Sequence, residues 1–293
     1  MANSIILSKN YVPLLDQVYK KAALSTILNT NDAMARAGQK ANEIVIPKIS
    51  MDGLADYSRN SGYTKGDVNL TWETVKFNYD RGRIFEVDYL DNEETAEVAF
   101  GMLGAEFQRT KVAPEADAFT FATLAGKQGI SKVGTPAVIS DGAALLTALI
   151  AGKTKMDEDE VPEENRILFI TPTLHNSVMA LDTTKSREIL NSFTSIVRVP
   201  QSRFYTAIEL LDGKSENELA GGYKKAAGGA DINFMIVHKP CVIKFDKHIA
   251  SDIITPEANQ HGDGYIQKYR KYGLVDVYEN KVAGIYLHHK PAA

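Results

Sequence analysis

Residues 43–90 carry the apolar pattern of a sheet without the means to cover it. Ile44 and Ile46, then Ile49, flank Pro47, and a proline suits an edge or exposed strand because it cannot donate to a central ladder. A polar, glycine-bearing stretch follows from Ser50 to Gly66, after which Val68, Leu70 and Trp72 alternate with Asn69, Thr71 and Glu73. That is the pattern of a half-exposed strand. Asp80-Arg81-Gly82-Arg83 reads as a turn, and Phe85, Val87 and Tyr89 alternate with Glu86 and Asp88 beyond it. Continuous apolar stretches are few, so the segment reads as a long two-stranded projection. An isolated hairpin is marginal in water. Its missing surface must come from elsewhere.

The flanks frame that projection. Residues 1–42 read as an irregular arm followed by weak helix, with Leu14, Val18 and Leu24 near helical spacing after Pro13 and an interruption at Asn29-Thr30-Asn31-Asp32. Such an arm has too few apolar groups to fold alone. After the projection, Asp91 can cap a helix, with Glu94 at the reciprocal capping-box position and Glu93 favourable beside it. Ala96, Ala99, Phe100, Leu103, Phe107, Thr110, Ala118, Phe121, Ala122 and Ala125 then hold one helical face, which Pro114 interrupts and bends. Continuous over 92–125, this helix would extend about 50 Å, a spine rather than packing filler.

Beyond Gly126, Ser140 or Asp141 caps a second helix with Ala144, Leu145, Ala148 and Leu149 in its buried stripe. The charged stretch 155–162 closes it. Arg166-Ile167-Leu168-Phe169-Ile170 reads as a buried strand, Thr171-Pro172 opens a helix through Leu174, Val178 and Leu181, and 196–199 and 232–237 are further strands. Residues 166–240 form a compact α/β unit whose 211–229 stretch is a surface loop by composition. Residues 241–293 are mostly strand, at 242–245, 265–278 and 282–288.

Composition narrows the function classes. The 293 residues carry 33 basic and 37 acidic side chains, a formal charge of −4, which argues against a dedicated DNA-coating protein. Cys241 is the only cysteine, which excludes an intramolecular disulfide and a thiolate-rich zinc site, and its apolar strand-like setting reads as an inert buried thiol. Ile5-Ile6-Leu7 is too short for the apolar core of a signal peptide, and nowhere do about 18 apolar residues run together. The expectation is a soluble protein made in a reducing compartment.

No grouping assembles into a catalytic site. His288 and His289 are adjacent in a strand and point to opposite faces, so they do not share a metal. Asp157-Glu158-Asp159-Glu160 lacks the order and central glycine of a calcium loop and reads as a solvated acidic loop. Thr171-Pro172-Thr173-Leu174-His175 brings a histidine near hydroxyls, yet proline in a first helical turn explains the segment. Gly221-Gly222 and Gly228-Gly229 match no phosphate loop, and His261-Gly262-Asp263-Gly264 reads as a turn. Tyr265 to Tyr272 interleaves aromatic and basic residues, as single-strand nucleic-acid platforms do, but a sheet strand with cross-strand tyrosine pairs is favoured by the net acidity. No catalytic, cofactor-binding or metal-ligating residue is assigned.

The order of these parts, and several strings within them, resembles the major capsid proteins of tailed bacteriophages. The strings are 12–16 (VPLLD), 41–44 (ANEI), 47–60 (PKISMDGLADYSRN), 70–74 (LTWET), 79–83 (YDRGR), 91–95 (DNEET), 270–277 (RKYGLVDV) and 282–286 (VAGIY). The likeness is especially close to capsid proteins of phages and prophages of Gram-positive bacteria, and is strongest over 40–125. It implies an α+β chain with the Hong Kong 97-type fold: an N-terminal arm at 1–42, an extended β loop at 43–90, a peripheral domain at 91–165 with its spine helix at 91–126, an axial domain at 166–240, and strands at 241–293 returning to the peripheral domain.

The implied function is structural, not enzymatic. Copies would assemble through pentamers and hexamers into an icosahedral shell around double-stranded DNA, contacted non-specifically, in a virion assembled in the bacterial host cytoplasm. No cofactor, metal or membrane is implied. No acidic or coiled-coil leader reads as built-in scaffolding, so a separate scaffolding factor and a portal protein are the expected partners. Two alternatives stand beside this: an encapsulin-like compartment around protein cargo, and a soluble enzyme centred on His175.

Overall fold

The computed structural model describes residues 22–30, 36–37, 43–94 and 103–292. A 3₁₀ turn, Leu24–Leu28, and a two-residue strand β1 (Arg36–Ala37) come first. β2 (Glu43–Met51) and β3 (Val68–Lys76) form the projecting hairpin, in register from Glu43 opposite Lys76 to Met51 opposite Val68. β1 pairs only with Ile44 and Val45, leaving the outer edge of β2 open at Pro47 among the described residues. That is where a proline is tolerated.

β4 (Tyr79–Asp88) leads into α1 (Tyr89–Glu94). The cap is Asp88, whose Oδ1 accepts the Leu90 N–H at 2.9 Å, while Asp91, the expected cap, sits inside the first turn. The stripe residues Ala96, Ala99 and Phe100, and the side chains of Glu93 and Glu94, lie outside the described residues. From Leu103 the spine runs as α2 (Leu103–Phe107), a π turn at Gln108–Val112, and α3 (Ala113–Gly126). The Ala113 N–H reaches back five residues to the Gln108 carbonyl, immediately before Pro114, which has no N–H to donate. The widened turn absorbs the proline, and the helix continues through it.

Downstream come β5 (Ser131–Lys132), α4 (Gly142–Glu158), β6 (Arg166–Ile170), α5 (Pro172–Met179), α6 (Thr184–Asn191) and β7 (Ser195–Arg198). Then follow β8 (Ile208–Leu210), β9 (Tyr223–Lys225), β10 (Ile232–His238), β11 (Val242–Ile254), β12 (Gly264–Val277) and β13 (Ile285–His289). Asp141, not Ser140, caps α4, its Oδ1 accepting the Ala144 N–H at 2.8 Å. The helix continues through Lys155–Glu158, where a loop was expected, and Lys155 reaches Asp159 four residues ahead at 2.6 Å.

Two sheets organise the chain. One has the order β5-β13-β10-β6-β7, with every residue of β6 buried. Leu145, Leu149 and Met156 of α4 pack against Leu168, Ile170, Phe234 and Ile236 on one of its faces. This α/β unit therefore draws on α4, β5 and β13, which the sequence reading had placed outside 166–240. The reason is that β10, buried at all but its last position, needs partners on both edges, and β13 supplies the second. The other sheet is β11-β12-β4.

The second sheet corrects the reading of Asp80-Arg81-Gly82-Arg83. These residues are mid-strand, not a turn, with β4 pairing β12 from Tyr79 opposite Gly273 to Asp88 opposite Gly264. Their turn-like composition serves the pairing. A Cβ on Gly82 would stand 2.8 Å from the Tyr269 carbonyl oxygen, and Asp80 takes Arg270 through both carboxylate oxygens at 2.9 and 2.7 Å. The hairpin proper is thus 43–76, and 79–88 belongs to the body.

Candidate assembly surface

The residues with chemical potential are scattered. His288 is buried, stacked on Phe234, with its Nδ1 3.0 Å from the Asn233 amide nitrogen. Burial, reinforced by neighbouring His289, pushes its pKa down to about 4. His289 faces the other way, with its Nδ1 2.7 Å from the Lys290 carbonyl. Asp157 pairs with Arg166 at 2.6 Å and Asp159 with Lys155, and no cluster of three metal-ligating side chains occurs among the described residues.

His175 sits on α5, and its Nδ1 is buried with no hydrogen-bond partner among the described residues. Cys241 is fully buried and its thiol is pushed up to about 12 by desolvation. Gly221 and Gly222 hold positive φ in the turn before β9, and His261 to Asp263 form the bend before β12. The Tyr265–Tyr272 stretch is the middle of a central strand. There Tyr265 stacks on Tyr89, Tyr269 meets Phe107 edge-on and Tyr272 stacks on Phe77. That is the sheet-strand reading.

The hairpin carries a different message. Alternation puts Ile44, Ile46, Lys48 and Ser50 of β2 on one face, opposite Val75, Glu73, Thr71 and Asn69 of β3. At the root this face is apolar and buried, with Ile44, Ile46 and Val75 packed against Ile243 and Leu274. Lys48 bonds Glu279 at 2.9 Å and pins it further. Toward the tip the same face becomes polar. The opposite face does the reverse: Pro47 lies across from Trp72, Ile49 from Leu70, and Met51 from Val68. Trp72 is 52% exposed, Ile49 55% and Leu70 58%, and beyond them Leu54 is fully exposed. The tip is nonetheless shaped, by a Ser58–Gly62 bridge and a Tyr57–Tyr63 edge contact at 4.9 Å. A contiguous apolar strip on an ordered ribbon marks an interaction surface.

A second surface lies where the β4–β12 sheet, the spine and the β8–β9 hairpin meet. There a groove of about 850 Å³ is walled by Phe85, Tyr269, Leu103, Phe107, Pro114 and Tyr223. Arg81 spans one end, its Nε bonding Glu115 at 2.7 Å and its Nη2 the Gly222 carbonyl at 3.2 Å. Arg83 reaches the Leu219 carbonyl at 3.0 Å. Burial, the Glu115 charge and its hydrogen bond hold the Tyr79 phenol far above its ordinary range.

Beside this groove lies a buried polar junction that the sequence did not disclose. Asp117 is wholly buried and bonds the Ser25 N–H and hydroxyl through Oδ1, and the Leu24 N–H and Arg203 through Oδ2, at 2.7–2.9 Å. Lys244 donates to the Ser25 carbonyl and hydroxyl at 2.8 and 2.6 Å, and burial depresses its pKa to about 8. No local pattern could have flagged these residues, which come from four separate stretches of chain.

No protein-family model and no curated relative matches the sequence. Solved structures do. A chain of the mature capsid of bacteriophage PhiM1 is 12% identical with a TM-score of 0.65, covering 97% of this chain and 92% of its own. The capsid of cyanophage P-SCSP1u gives 13% identity and a TM-score of 0.62, covering 98% and 94%. A chain from Mycobacterium phage Che8 gives 13% and 0.61, covering 96% and 98%. At such identity the likeness is one of fold, and it extends over nearly the whole chain. The protein has the α+β, Hong Kong 97-type fold of tailed-phage capsid chains.

Proposed function

We propose that this chain is a major capsid protein whose copies self-assemble into an icosahedral shell around the double-stranded DNA of a tailed phage or prophage. One observation carries the reading: the hairpin is ordered, rooted in the body, and apolar on the face that the body leaves uncovered. A surface that every copy exposes, and that the described residues of its own chain leave uncovered, is satisfied by repetition. Interfaces of the usual stable size, on the order of 1,600 Å², summed around a closed shell make modest contacts collectively strong.

On this reading the hairpin is the extended loop, the spine with β11-β12-β4 is the peripheral domain, and the α/β unit around β10 is the axial domain near the local symmetry axes. The role is structural rather than enzymatic. The shell would form in the host cytoplasm with a separate scaffolding factor and a portal protein, and touch its DNA non-specifically. The link to phages of Gram-positive hosts rests on the sequence strings alone.

Electron microscopy and nucleic-acid content of the purified product test this. Closed shells that protect double-stranded DNA when isolated from producing cells support it. Shells holding only protein cargo would favour the encapsulin-like alternative, and a monomer under all assembly conditions would overturn both.

A further inference from the structure

We propose that residues 207–225 form a hinged flap that gates the groove between the spine and β4, and that Arg83 of β4 is its latch. The β8–β9 pair is a two-stranded sheet of its own, hydrogen-bonded to neither of the large sheets. No residue from Tyr205 to Gly228 is buried, whereas Phe204 and Ile232, which flank the stretch, are fully buried. A segment with so little buried surface belongs to the low-stability end of a fold, where local opening costs least. The flap joins the body through a narrow neck. There the Ile232 N–H bonds the Phe204 carbonyl at 3.0 Å, the Thr206 N–H the Ala230 carbonyl at 2.9 Å, and the Ala226 N–H the Ala207 carbonyl at 3.2 Å. Tyr223 adds a bond from its hydroxyl to the Ser202 carbonyl at 2.8 Å. Beyond the neck the flap is ordered from within: Asp212 accepts the Lys214 and Ser215 N–H groups, and Glu218 accepts the Asp212 N–H. Such a unit swings whole.

Its far end is held down from β4. Arg83 donates through Nη2 to the Leu219 carbonyl at 3.0 Å, and Arg81 to the Gly222 carbonyl at 3.2 Å. The flap is shaped to receive Arg83. Gly213 and Gly221 both hold left-handed backbone, with φ of 69° and 63°, and a Cβ on Gly213 would stand 2.8 Å from Arg83 Nη1, so only glycine leaves room for the guanidinium there. Arg81 is anchored on the buried Glu115 as well, which makes Arg83 the latch that can be removed without stranding a carboxylate. Charge-assisted hydrogen bonds shift an equilibrium roughly 10- to 100-fold, enough to keep a coreless flap shut and too little to fix it permanently. Leu211 and Tyr223 of the flap line the groove together with Phe85, Phe107 and Tyr269, so lifting the flap opens that apolar surface. This holds for a single chain and does not depend on shell formation.

Trypsin reads the opening, because cleavage of a transiently released segment tracks its open population. Full-length parent and Arg83→Ala, dilute and unassembled, are digested briefly, and mass spectrometry compares the cut after Lys214 in the flap with the cut after the exposed Lys65 near the hairpin tip. The expected result is a roughly 10- to 100-fold faster cut after Lys214, with the cut after Lys65 and the melting temperature unchanged. Spin labels at Lys214→Cys and Ser251→Cys give the second reading, since the native Cys241 is buried. Double electron–electron resonance should show an added population at longer distance when Arg83→Ala is introduced. Equal cleavage after Lys214 in the two proteins, acceleration at both sites with a lowered melting temperature, or an identical distance distribution would overturn the proposal.

Discussion

Leu70 offers the sharpest separation between a side chain that stabilises its own subunit and one that stabilises an assembly. It lies on the apolar face opposite Ile49 and is 58% exposed. Full burial of a leucine side chain is worth roughly 1.5–3 kcal/mol, so covering the exposed part on a sister copy contributes about 1–2 kcal/mol per contact. Each subunit donates one hairpin, so Leu70→Ala should raise the critical concentration for assembly about 5- to 30-fold. The isolated subunit should keep its melting temperature, because the lost atoms touch little of their own chain. Light scattering against protein concentration reads the first quantity and differential scanning calorimetry the second. Combining Ile49→Ala and Trp72→Ala with it should abolish shells at workable concentrations. Unchanged assembly with a lowered melting temperature would refute the reasoning, since the strip would then be serving the subunit itself.

Other perturbations address the body. Asp117→Asn should destabilise the subunit by about 3–5 kcal/mol in chemical denaturation, because it removes the carboxylate charge that faces the buried Arg203 guanidinium; Leu70→Ala serves as the control. Lys244 has a folded pKa near 8, below its ordinary value, so the unfolded chain binds the extra proton between pH 8 and about 10.5. Its contribution to stability therefore rises with pH across that window, and the stability difference between the parent and Lys244→Met should change in that sense. His288, depressed to about 4, works at the acid end. Its contribution is present above pH 6.5 and lost as pH falls toward 4, so His288→Gln should flatten the acid limb of the stability profile.

What the sequence conveyed, and what it withheld, divides along the range of the interactions. Local signals were faithful: the alternation of Val68, Leu70 and Trp72, the buried run Arg166–Ile170, and the helix opening at Pro172 all reappear as elements. The mid-strand Asp80–Arg83 was misread because its charges and glycine answer to Arg270, Glu115 and the Tyr269 backbone, which lie 34 to 190 residues away. The spine's proline was legible, but the π turn that accommodates it was not, since nothing in Gln108–Val112 departs from ordinary helical composition. The site behaves the same way. The uncovered hairpin could be inferred from its missing core, whereas the groove exists only once β4, the spine and β9 converge, and the Asp117 junction only once Ser25, Arg203 and Lys244 meet the spine. That β13 completes the β10 sheet is likewise invisible until the chain has returned.

The measurement that bears most directly on the whole account is a cryo-electron microscopy map of the particles this protein forms, read at residues 47–72. The prediction is that the face bearing Ile49, Leu70 and Trp72 lies against a neighbouring subunit, with those side chains buried at every quasi-equivalent position. A map in which the ribbon stands free in solvent, or folds onto its own subunit, would contradict it.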